Sequence, residues 1–294
     1  MRPSLSSLDL RGRAGHADRS FRAIAMAACC LVLAVLGSIA IVMTRSAQPV
    51  LDAMGLRFFT ETRWSAPNAI FGALPFVWGT LYTAAIAIAI AVPVSLSVAL
   101  VITQIAPPGW RRPLVYFVDL LAVVPSVVFG LWGILVIAPH IGRSLLTAGI
   151  VLSIMITPII TSLAREVIET TPPGEKEAAL ALGATRWEMI RGAVWPHAKT
   201  GLVGAVMLGL GRAMGETIAA ALVIGSALGR IALNPLAAGN SMPAVIANEW
   251  GEADLLHKSA LIALALLLFA ITIAVNLVAA SIVRRSAARS RGVG

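Results

Sequence analysis

The chain has 294 residues, of which 58% are hydrophobic and only 13% are charged, and its mean hydropathy is +0.88. A soluble core of this size cannot bury so much apolar surface, so the composition excludes a soluble globular protein and indicates a polytopic membrane protein. The formal net charge of +9 is not accompanied by an RNA- or DNA-binding motif, and we predict no nucleic-acid partner.

Six apolar stretches are long enough to cross a bilayer as helices. The predicted spans are Ala23–Met43, Leu74–Thr103, Leu114–Ala138, Leu145–Leu163, Gly201–Leu228 and Leu261–Val283. Pro93, Pro125 and Pro158 lie inside three of them, and each favours a kink because proline removes a backbone hydrogen bond. The sequence therefore predicts an all-α fold with six transmembrane helices.

The first apolar run follows Arg22 in the manner of a signal peptide, but it is longer than the roughly 7–15 residues of a signal-peptide core. We interpret it as a membrane helix. Cys29 and Cys30 are adjacent in this run, so they cannot easily bridge each other, and they lack a metal-ligand pattern. We interpret both cysteines as apolar filler and predict no metal site.

Lys and Arg residues are retained on the cytoplasmic side of membrane proteins, and their distribution predicts the orientation. With the N-terminus in the cytoplasm, 16 of the 23 fall on inner segments, six fall on outer segments, and Arg212 lies within the fifth span. The inner residues lie in the N-terminal arm, at Arg111 and Arg112, around residues 165–199, and in the C-terminal tail. Both termini are therefore predicted to be cytoplasmic.

Two outer segments carry additional patterns. Pro49–Trp78 mixes aromatic and charged residues, which suits an interfacial segment followed by an aromatic belt. Residues 240–243 (Asn-Ser-Met-Pro) suit the capped start of a short helix through Trp250. Either segment could contact a soluble partner, although aromatic anchoring explains the first equally well. His140 and His257 are interpreted as interfacial residues.

A polar insert separates the fourth and fifth spans, and residues 177–196 read EAALALGATRWEMIRGAVWP. Thr171 before Pro172 and Pro173 predicts a capped helix start, and Gly183 then breaks that helix. Thr185 and Glu188 form a Thr-x-x-Glu capping box for a second helix. That second helix is predicted to end toward Pro196 and to carry on one side Trp187, Ile190, Ala193 and Val194. An ordinary helical cytoplasmic loop is the alternative interpretation.

Two charged residues fall inside the fifth predicted span. Arg212 and Glu216 are four residues apart and should share one helix face. A charge within a span costs about 2.5–3.5 kcal/mol on insertion scales, so such residues usually face a cavity or a partner. We predict that both line a transport path, with a purely structural ion pair as the alternative. Asp119 is a weaker candidate, because water, Arg111 or Arg112 could satisfy it near the end of its helix.

The polar insert resembles the EAA loop of bacterial ABC importer permeases. Glu177, Ala178, Ala179, Gly183 and Pro196 keep the spacing of that loop, whereas Ala193 and Trp195 stand where the family usually has Ile and Leu. The resemblance implies that these residues couple the membrane helices to an ATPase.

A second resemblance narrows the family. Residues 211–217 (Gly-Arg-Ala-Met-Gly-Glu-Thr) are similar to a helix of the phosphate-specific ABC importer permeases of the PstC type. Further matches in order along nearly the whole chain are Phe71–Pro75, Gly79–Leu81, Val124–Ser126, Gly130–Gly133 and Ile246–Trp250. The PstA-type sister fits less well, because its Gly-Glu-Thr usually runs into Ala-Pro, whereas Ile218 follows here. Ser226 stands where many relatives have Asn.

The resemblance implies a type I ABC importer permease fold in a bacterial inner membrane. Residues 1–22 would be a cytoplasmic arm, 23–283 the permease domain with its coupling loop at about 165–199, and 284–294 a basic cytoplasmic tail. The implied partners, besides membrane lipid, are a PstA-type sister permease, a cytoplasmic ABC ATPase dimer and an extracytoplasmic phosphate-binding protein. The chain has no GxxxxGK[ST] phosphate loop, so we predict no catalytic residues and no cofactor.

Two other functions remain open at this point. The first is a permease for another oxyanion, because ligand choice in such importers rests largely on the binding protein. The second is an ion-gradient-driven secondary transporter, which would explain buried charge but would leave the EAA loop without a purpose.

Overall fold

The computed structural model describes the backbone of residues 11–291 and the side chains of residues 20–281. The first ten residues of the predicted N-terminal arm and the last three of the predicted tail lie outside the described residues. Helix α1 (Arg11–Met54) contains the first predicted span, continues through Pro49, and is followed by the short helix α2 (Arg57–Thr60). Cys29 and Cys30 are free and exposed on α1.

A small antiparallel hairpin follows α2. It consists of β1 (Trp64–Ser65), a 3-10 turn at Ala66–Asn68, and β2 (Ile70–Phe71). The predicted interfacial aromatic belt is wrong for Phe58, Trp64 and Phe71, which are buried. They pack against α1 and the last helix because the hairpin folds back over the helix ends.

The central core lies between two long helices. Helix α3 (Leu74–Leu100) continues through a π-helical turn at Val101–Ile105, and α7 (Leu145–Glu169) packs beside it with most of its apolar length buried. Small residues permit this close approach, and the Ser95 hydroxyl donates to the Thr157 carbonyl at 3.0 Å. Pro93 and Pro158 lie inside these helices, which continue past them.

Between α3 and α7 the chain forms a sharply bent pair. Helix α4 (Pro108–Val123) is followed by α5 (Ser126–Trp132), a π-helical turn at Gly133–Ile137, and α6 (Ala138–Ile141), with a bend of 88° between the two halves. The single span predicted at Leu114–Ala138 is therefore broken rather than merely kinked. Pro125 lacks a backbone N–H and pushes Val124 out of the helical region, so the backbone turns there.

After α7 come two short helices, α8 (Pro173–Ala181) and α9 (Arg186–Met189), and then α10 (Trp195–Gly215) and α11 (Ile218–Val223). The prediction of one continuous span at Gly201–Leu228 is wrong, because Glu216 adopts an extended conformation between α10 and α11. Helix α11 packs against α5 at Gly130, where a Cβ atom would lie 2.8 Å from the Ala219 Cα atom. The two broken helices therefore meet.

The chain ends with α12 (Met242–Glu249) and α13 (Leu255–Arg291), which contains the last predicted span. The predicted capped start of α12 is confirmed, because Ser241 accepts from the Ala244 N–H at 3.4 Å. Within the described residues, four helices are long and apolar enough to span a membrane, and the bent pair would be a fifth. The count of six spans stays a prediction, since α10 and α11 form a broken segment.

Candidate functional site

The polar insert folds into two helices joined by a glycine turn, and we call residues 173–189 the helix pair. Glu177, Ala178 and Ala179 lie on α8, and Gly183 follows it with a φ of +85°. A Cβ atom on Gly183 would meet no atom within 4 Å, so the left-handed backbone conformation, and not lack of space, requires glycine here.

The start of α9 matches the predicted capping box. The Thr185 N–H and hydroxyl donate to Glu188 Oε2 at 2.8 Å each, and the Glu188 N–H donates to Thr185 Oγ1 at 3.3 Å. The backbone donor of Thr185 and then its hydroxyl hold the pKa of the Glu188 carboxyl below its usual value, because both stabilise the carboxylate.

The predicted cap of α8 is wrong. Pro172 occupies the capping position, and the hydroxyl of Thr171, one residue earlier, is buried without a hydrogen-bond partner among the described residues. The fixed φ of two successive prolines pre-organises this helix start without a side-chain cap.

The second helix of the insert does not end at Pro196. One π-helical turn at Ile190–Val194 precedes it, the Trp195 N–H bonds to the Ile190 carbonyl, and Pro196 lies in the first turn of α10. Proline is tolerated there because the widened turn removes the need for its missing N–H. Of the four residues predicted to lie on one side, Ile190 and Val194 are buried, Ala193 is half-buried, and Trp187 is 66% exposed.

The base of the helix pair is packed against the membrane helices. Buried side chains from α3, α7, α9, the π-helical turn and α10 form one apolar cluster, which contains Ala99, Ala164, Ile168, Met189, Ile190, Val194, Ala198 and Leu202. The opposite end is open, since Leu182 beside the glycine turn is 90% exposed. A protein that bound this tip and displaced it would therefore move the ends of three long helices together.

A second candidate site lies on α10. Gly204, Leu208, Arg212 and Gly215 are exposed along one face of this helix, whereas Gly209 on another side packs against Ile160. A Cβ atom at Gly209 would lie 2.6 Å from Ile160, whereas a Cβ atom at Gly204, Gly211 or Gly215 would meet no described atom within 4 Å. The face that carries Arg212 is open.

Arg212 and Glu216 do not share a helix face, contrary to the prediction. The helix ends at Gly215, Glu216 is only 9% exposed, and its Oε1 atom accepts the Ala219 N–H at 3.3 Å. Among the residues whose side chains are described, Arg212 has no carboxylate within 4 Å. The structural ion pair is therefore absent from this conformation.

Two polar contacts between helices carry no local sequence signal. The Ser162 hydroxyl of α7 donates to Asp119 Oδ1 of α4 at 2.8 Å, whereas Arg111, one of the partners considered for Asp119, donates to the Ala106 carbonyl. The partner of Asp119 was missed because a lone serine inside an apolar run gives no indication of which helix it faces.

The second missed contact surrounds His257, which is buried rather than interfacial. Its Nε2 atom lies 2.7 Å from Glu249 Oε2, and the Trp64 indole N–H donates to the same oxygen at 2.8 Å. The ring of His257 stacks on Phe71 with centroids 5.3 Å apart. These contacts join the hairpin, α12 and α13. No group of three potential metal-binding side chains occurs in the part of the chain that the structure describes.

Comparison with known proteins gives this architecture a family. The family model for the "binding-protein-dependent transport system inner membrane component" matches residues 106–291, which include both broken helices and the helix pair. The phosphate transport system permease protein PstC of Mesorhizobium japonicum is 38% identical, with 93% of this chain and 92% of that protein covered. PstC 2 of Mycobacterium tuberculosis is 37% identical, with 96% of each covered.

Solved structures share the fold at low identity. The MetNI methionine ABC transporter in inward-facing conformations gives a TM-score of 0.61 at 19% identity, covering 76% of this chain and 99% of that chain. A bacterial ABC transporter involved in the import of alginate gives 0.56 at 15% identity, covering 91% and 99%. The chain therefore belongs to the binding-protein-dependent transport system inner membrane components, and within them to the PstC-type permeases.

Proposed function

We propose that this chain is the membrane-spanning permease subunit of an ATP-driven importer of inorganic phosphate. The observation that carries the proposal is the identity of 38% to a phosphate transport permease over more than nine-tenths of both chains. The chain would form the translocation path by alternating access together with a PstA-type sister permease.

The helix pair is the proposed contact with a dimer of cytoplasmic ABC ATPases. Glu177, Ala178 and Gly183 are exposed, Ala179 is half-buried against the packed base, and Pro196 lies in the first turn of the helix that returns to the membrane. The exposed Leu182 offers an apolar contact, and the packed base would transmit movement to α3, α7 and α10. ATP hydrolysis would take place in the ATPase, since this sequence has no phosphate-binding loop.

The open face of α10 is the proposed side of the translocation path. Arg212 presents a planar guanidinium whose donors can bond two oxygens of a tetrahedral anion at once. The exposed Gly204 and Gly215 leave space for the anion or for the sister permease. Glu216 would act differently, because its carboxylate holds the start of α11 at the break beside the path.

The proposed topology places both termini in the cytoplasm of a bacterial inner-membrane protein. The helix pair then lies on the cytoplasmic side, with residues 1–22 and 284–294 as basic cytoplasmic segments around a permease domain at 23–283. The hairpin and α12 lie on the outer side, where a phosphate-binding protein would dock. Charge distribution supports this orientation, because 16 of the 23 Lys and Arg residues fall on the inner segments.

Reconstitution tests the proposal directly. The chain would be co-expressed with a PstA-type sister permease, an ABC ATPase and a phosphate-binding protein, and ATP-dependent uptake of labelled phosphate would be measured in vesicles, with sulfate and molybdate as competitors. We expect uptake that needs all four components and is not reduced by either competitor. Uptake of another oxyanion in preference to phosphate would overturn the substrate assignment. Gradient-driven uptake by this chain alone would overturn the ABC importer assignment.

A further inference from the structure

A cavity of about 260 Å³ lies where the polar insert meets the end of α3. Its lining residues are Leu100, Trp187, Ile190, Arg191 and Trp195, and we call it the Trp-Arg cavity. Ile190 is buried and packs with Ala99 of α3, so one side of the cavity is a fixed apolar surface. Trp187, Arg191 and Trp195 are exposed at its mouth.

These three mouth residues recur every four positions along one continuous helical stretch. This stretch includes the π-helical turn at Ile190–Val194, in which Ile190 and Val194 are buried. One side of the stretch therefore packs against the protein, and the other side presents two indoles around a guanidinium. Trp195 stands where the resemblance to importer permeases would place leucine. The cavity is therefore not explained by the residues that carry that resemblance.

Arg191 has no anionic partner among the residues whose side chains are described. No carboxylate of residues 20–281 lies within 4 Å of its guanidinium, and the other residues that line the cavity are aliphatic or aromatic. An arginine flanked by indoles and aliphatic groups is suited to an anion that carries its own apolar part, because the guanidinium is weakly hydrated and bonds phosphate oxygens in pairs.

The surroundings of the cavity favour a lipid over a protein. Leu100 is the last residue of α3, and Val101 and Ile105 are exposed in the π-helical turn that follows it. Trp195 begins α10. The exposed Val101 and Ile105 form an apolar surface beside the cavity, whereas the start of α10 also carries the exposed His197. Tryptophan and arginine are enriched at the boundary between membrane and water, and basic pockets between helices on the cytoplasmic side bind anionic headgroups.

We propose that the Trp-Arg cavity binds an anionic phospholipid of the cytoplasmic leaflet. Arg191 bonds the phosphate of the headgroup, and Trp187 and Trp195 flank the glycerol and the first methylenes of the acyl chains, which lie against Leu100 and Ile190. The inference rests on the proposed function through the cytoplasmic placement of the helix pair. A bound lipid would bridge α3 and the polar insert, so it would stabilise the packing through which ATPase movement reaches the membrane.

The test uses the assembled complex, purified into nanodiscs of phosphatidylcholine with one-fifth phosphatidylglycerol. Native mass spectrometry after release into detergent counts retained phosphatidylglycerol. We expect Arg191→Gln to retain about threefold less of it than the wild type, and Trp195→Leu to retain an intermediate amount. Arg186→Gln is the matched control, because this exposed arginine lies five residues before Arg191 in the same polar insert but does not line the cavity, and we expect wild-type retention.

Equal retention by Arg191→Gln and Arg186→Gln would overturn the lipid site. Loss of the ATPase from Arg191→Gln with unchanged lipid would overturn it too, because the occupant would then be protein. Phosphate uptake of the wild-type complex, measured in parallel, separates the two proposals: a wild type that retains lipid at this cavity but imports no phosphate contradicts the proposed function alone.

Discussion

The backbone N–H of Ala219 donates to the carboxylate of Glu216, and this contact holds α11 at the break that follows α10. A backbone N–H at membrane depth needs a partner, because no lipid group can satisfy it. Glu216 provides that partner for the first turn of α11, which packs on α5, the second half of the other broken helix. Two broken helices in contact offer hinges at which short segments can move relative to long ones, as alternating access requires.

Loss of the charge on Arg212 is expected to reduce phosphate uptake strongly while the complex still assembles. Arg212→Gln keeps polarity and approximate length, and a hydrogen bond to a charged group contributes roughly 1.5–3 kcal/mol, so uptake should fall about tenfold to a hundredfold. Arg212→Lys should recover only part of it, because an ammonium lacks the two-pronged donor geometry. Labelled phosphate uptake in vesicles with equal amounts of complex measures the effect.

Two further variants separate a transport role from ion pairing. Arg45→Gln removes an exposed arginine from α1 and should leave uptake unchanged. The double change Arg212→Gln with Glu216→Gln should stay as impaired as Arg212→Gln, because the structure has no salt bridge between the two residues. Full activity of the double variant would count against Arg212 as a path residue.

Glu216 is expected to act through its side-chain acceptor rather than through its charge. Glu216→Gln keeps an oxygen that can accept the Ala219 N–H, and we expect nearly wild-type thermal stability of the assembled complex. Glu216→Ala leaves that N–H unpaired in a buried place and should cost about 1–3 kcal/mol. Thermal unfolding of both variants in the same detergent measures this difference, and equal loss in both would show that the carboxylate charge itself is needed.

The sequence predicts the helical elements well but places their breaks poorly. Spans and the capping box of Thr185 and Glu188 follow from local patterns of hydropathy and hydrogen-bonding residues. The break at Gly215–Thr217 has no such signal, because Arg212 and Glu216 have the ordinary spacing of one helix face. Packing of α11 on α5 decides that geometry, and those residues are far apart in the chain.

The two missed polar contacts also depend on packing between residues that are far apart in the chain. His257 and Trp64 meet Glu249 only after the hairpin folds back over α13, and Ser162 reaches Asp119 only because α4 packs beside α7. His257 lies near a predicted membrane boundary in the sequence, and that position alone suggests an interfacial histidine. Burial of that histidine is a property of the tertiary fold.

The protein should become more stable when Ser226 is replaced by a residue that tolerates the left-handed backbone conformation. Its φ is +52°, directly after Gly225 at +95°, and a side chain in this region costs about 1 kcal/mol unless it is Gly, Asn or Asp. Ser226→Asn should therefore raise the melting temperature of the complex by a few degrees, roughly 2–4 °C per kcal/mol. Ser226→Val, which is β-branched, should lower it; an increase with valine would contradict this explanation.

The capping box of α9 should weaken in acid. The pKa of Glu188 is held below its usual value in the folded protein, so its contribution to stability is present above about pH 4.5 and is lost as the pH falls through the lower folded pKa. Hydrogen exchange of residues 185–189 should show wild-type protection decreasing in that window relative to Glu188→Gln, which cannot titrate. A constant difference between the two proteins from pH 6 to pH 3 would rule out Glu188 as the titrating group.

Gly183 is expected to be needed for coupling because of its backbone conformation. A residue with a Cβ at φ +85° costs roughly 1–2 kcal/mol, so Gly183→Ala should distort the turn between α8 and α9 while insertion of the spans stays intact. We expect ATPase activity stimulated by the binding protein, and phosphate uptake, to fall severalfold.

Gly192→Ala is the matched control: its Cβ would also meet open space, but its φ is not in the left-handed region, so wild-type coupling is expected. Glu177→Ala tests the same contact through a side chain on α8. Wild-type uptake and ATPase association in both Gly183→Ala and Glu177→Ala would mean that the helix pair does not carry the coupling.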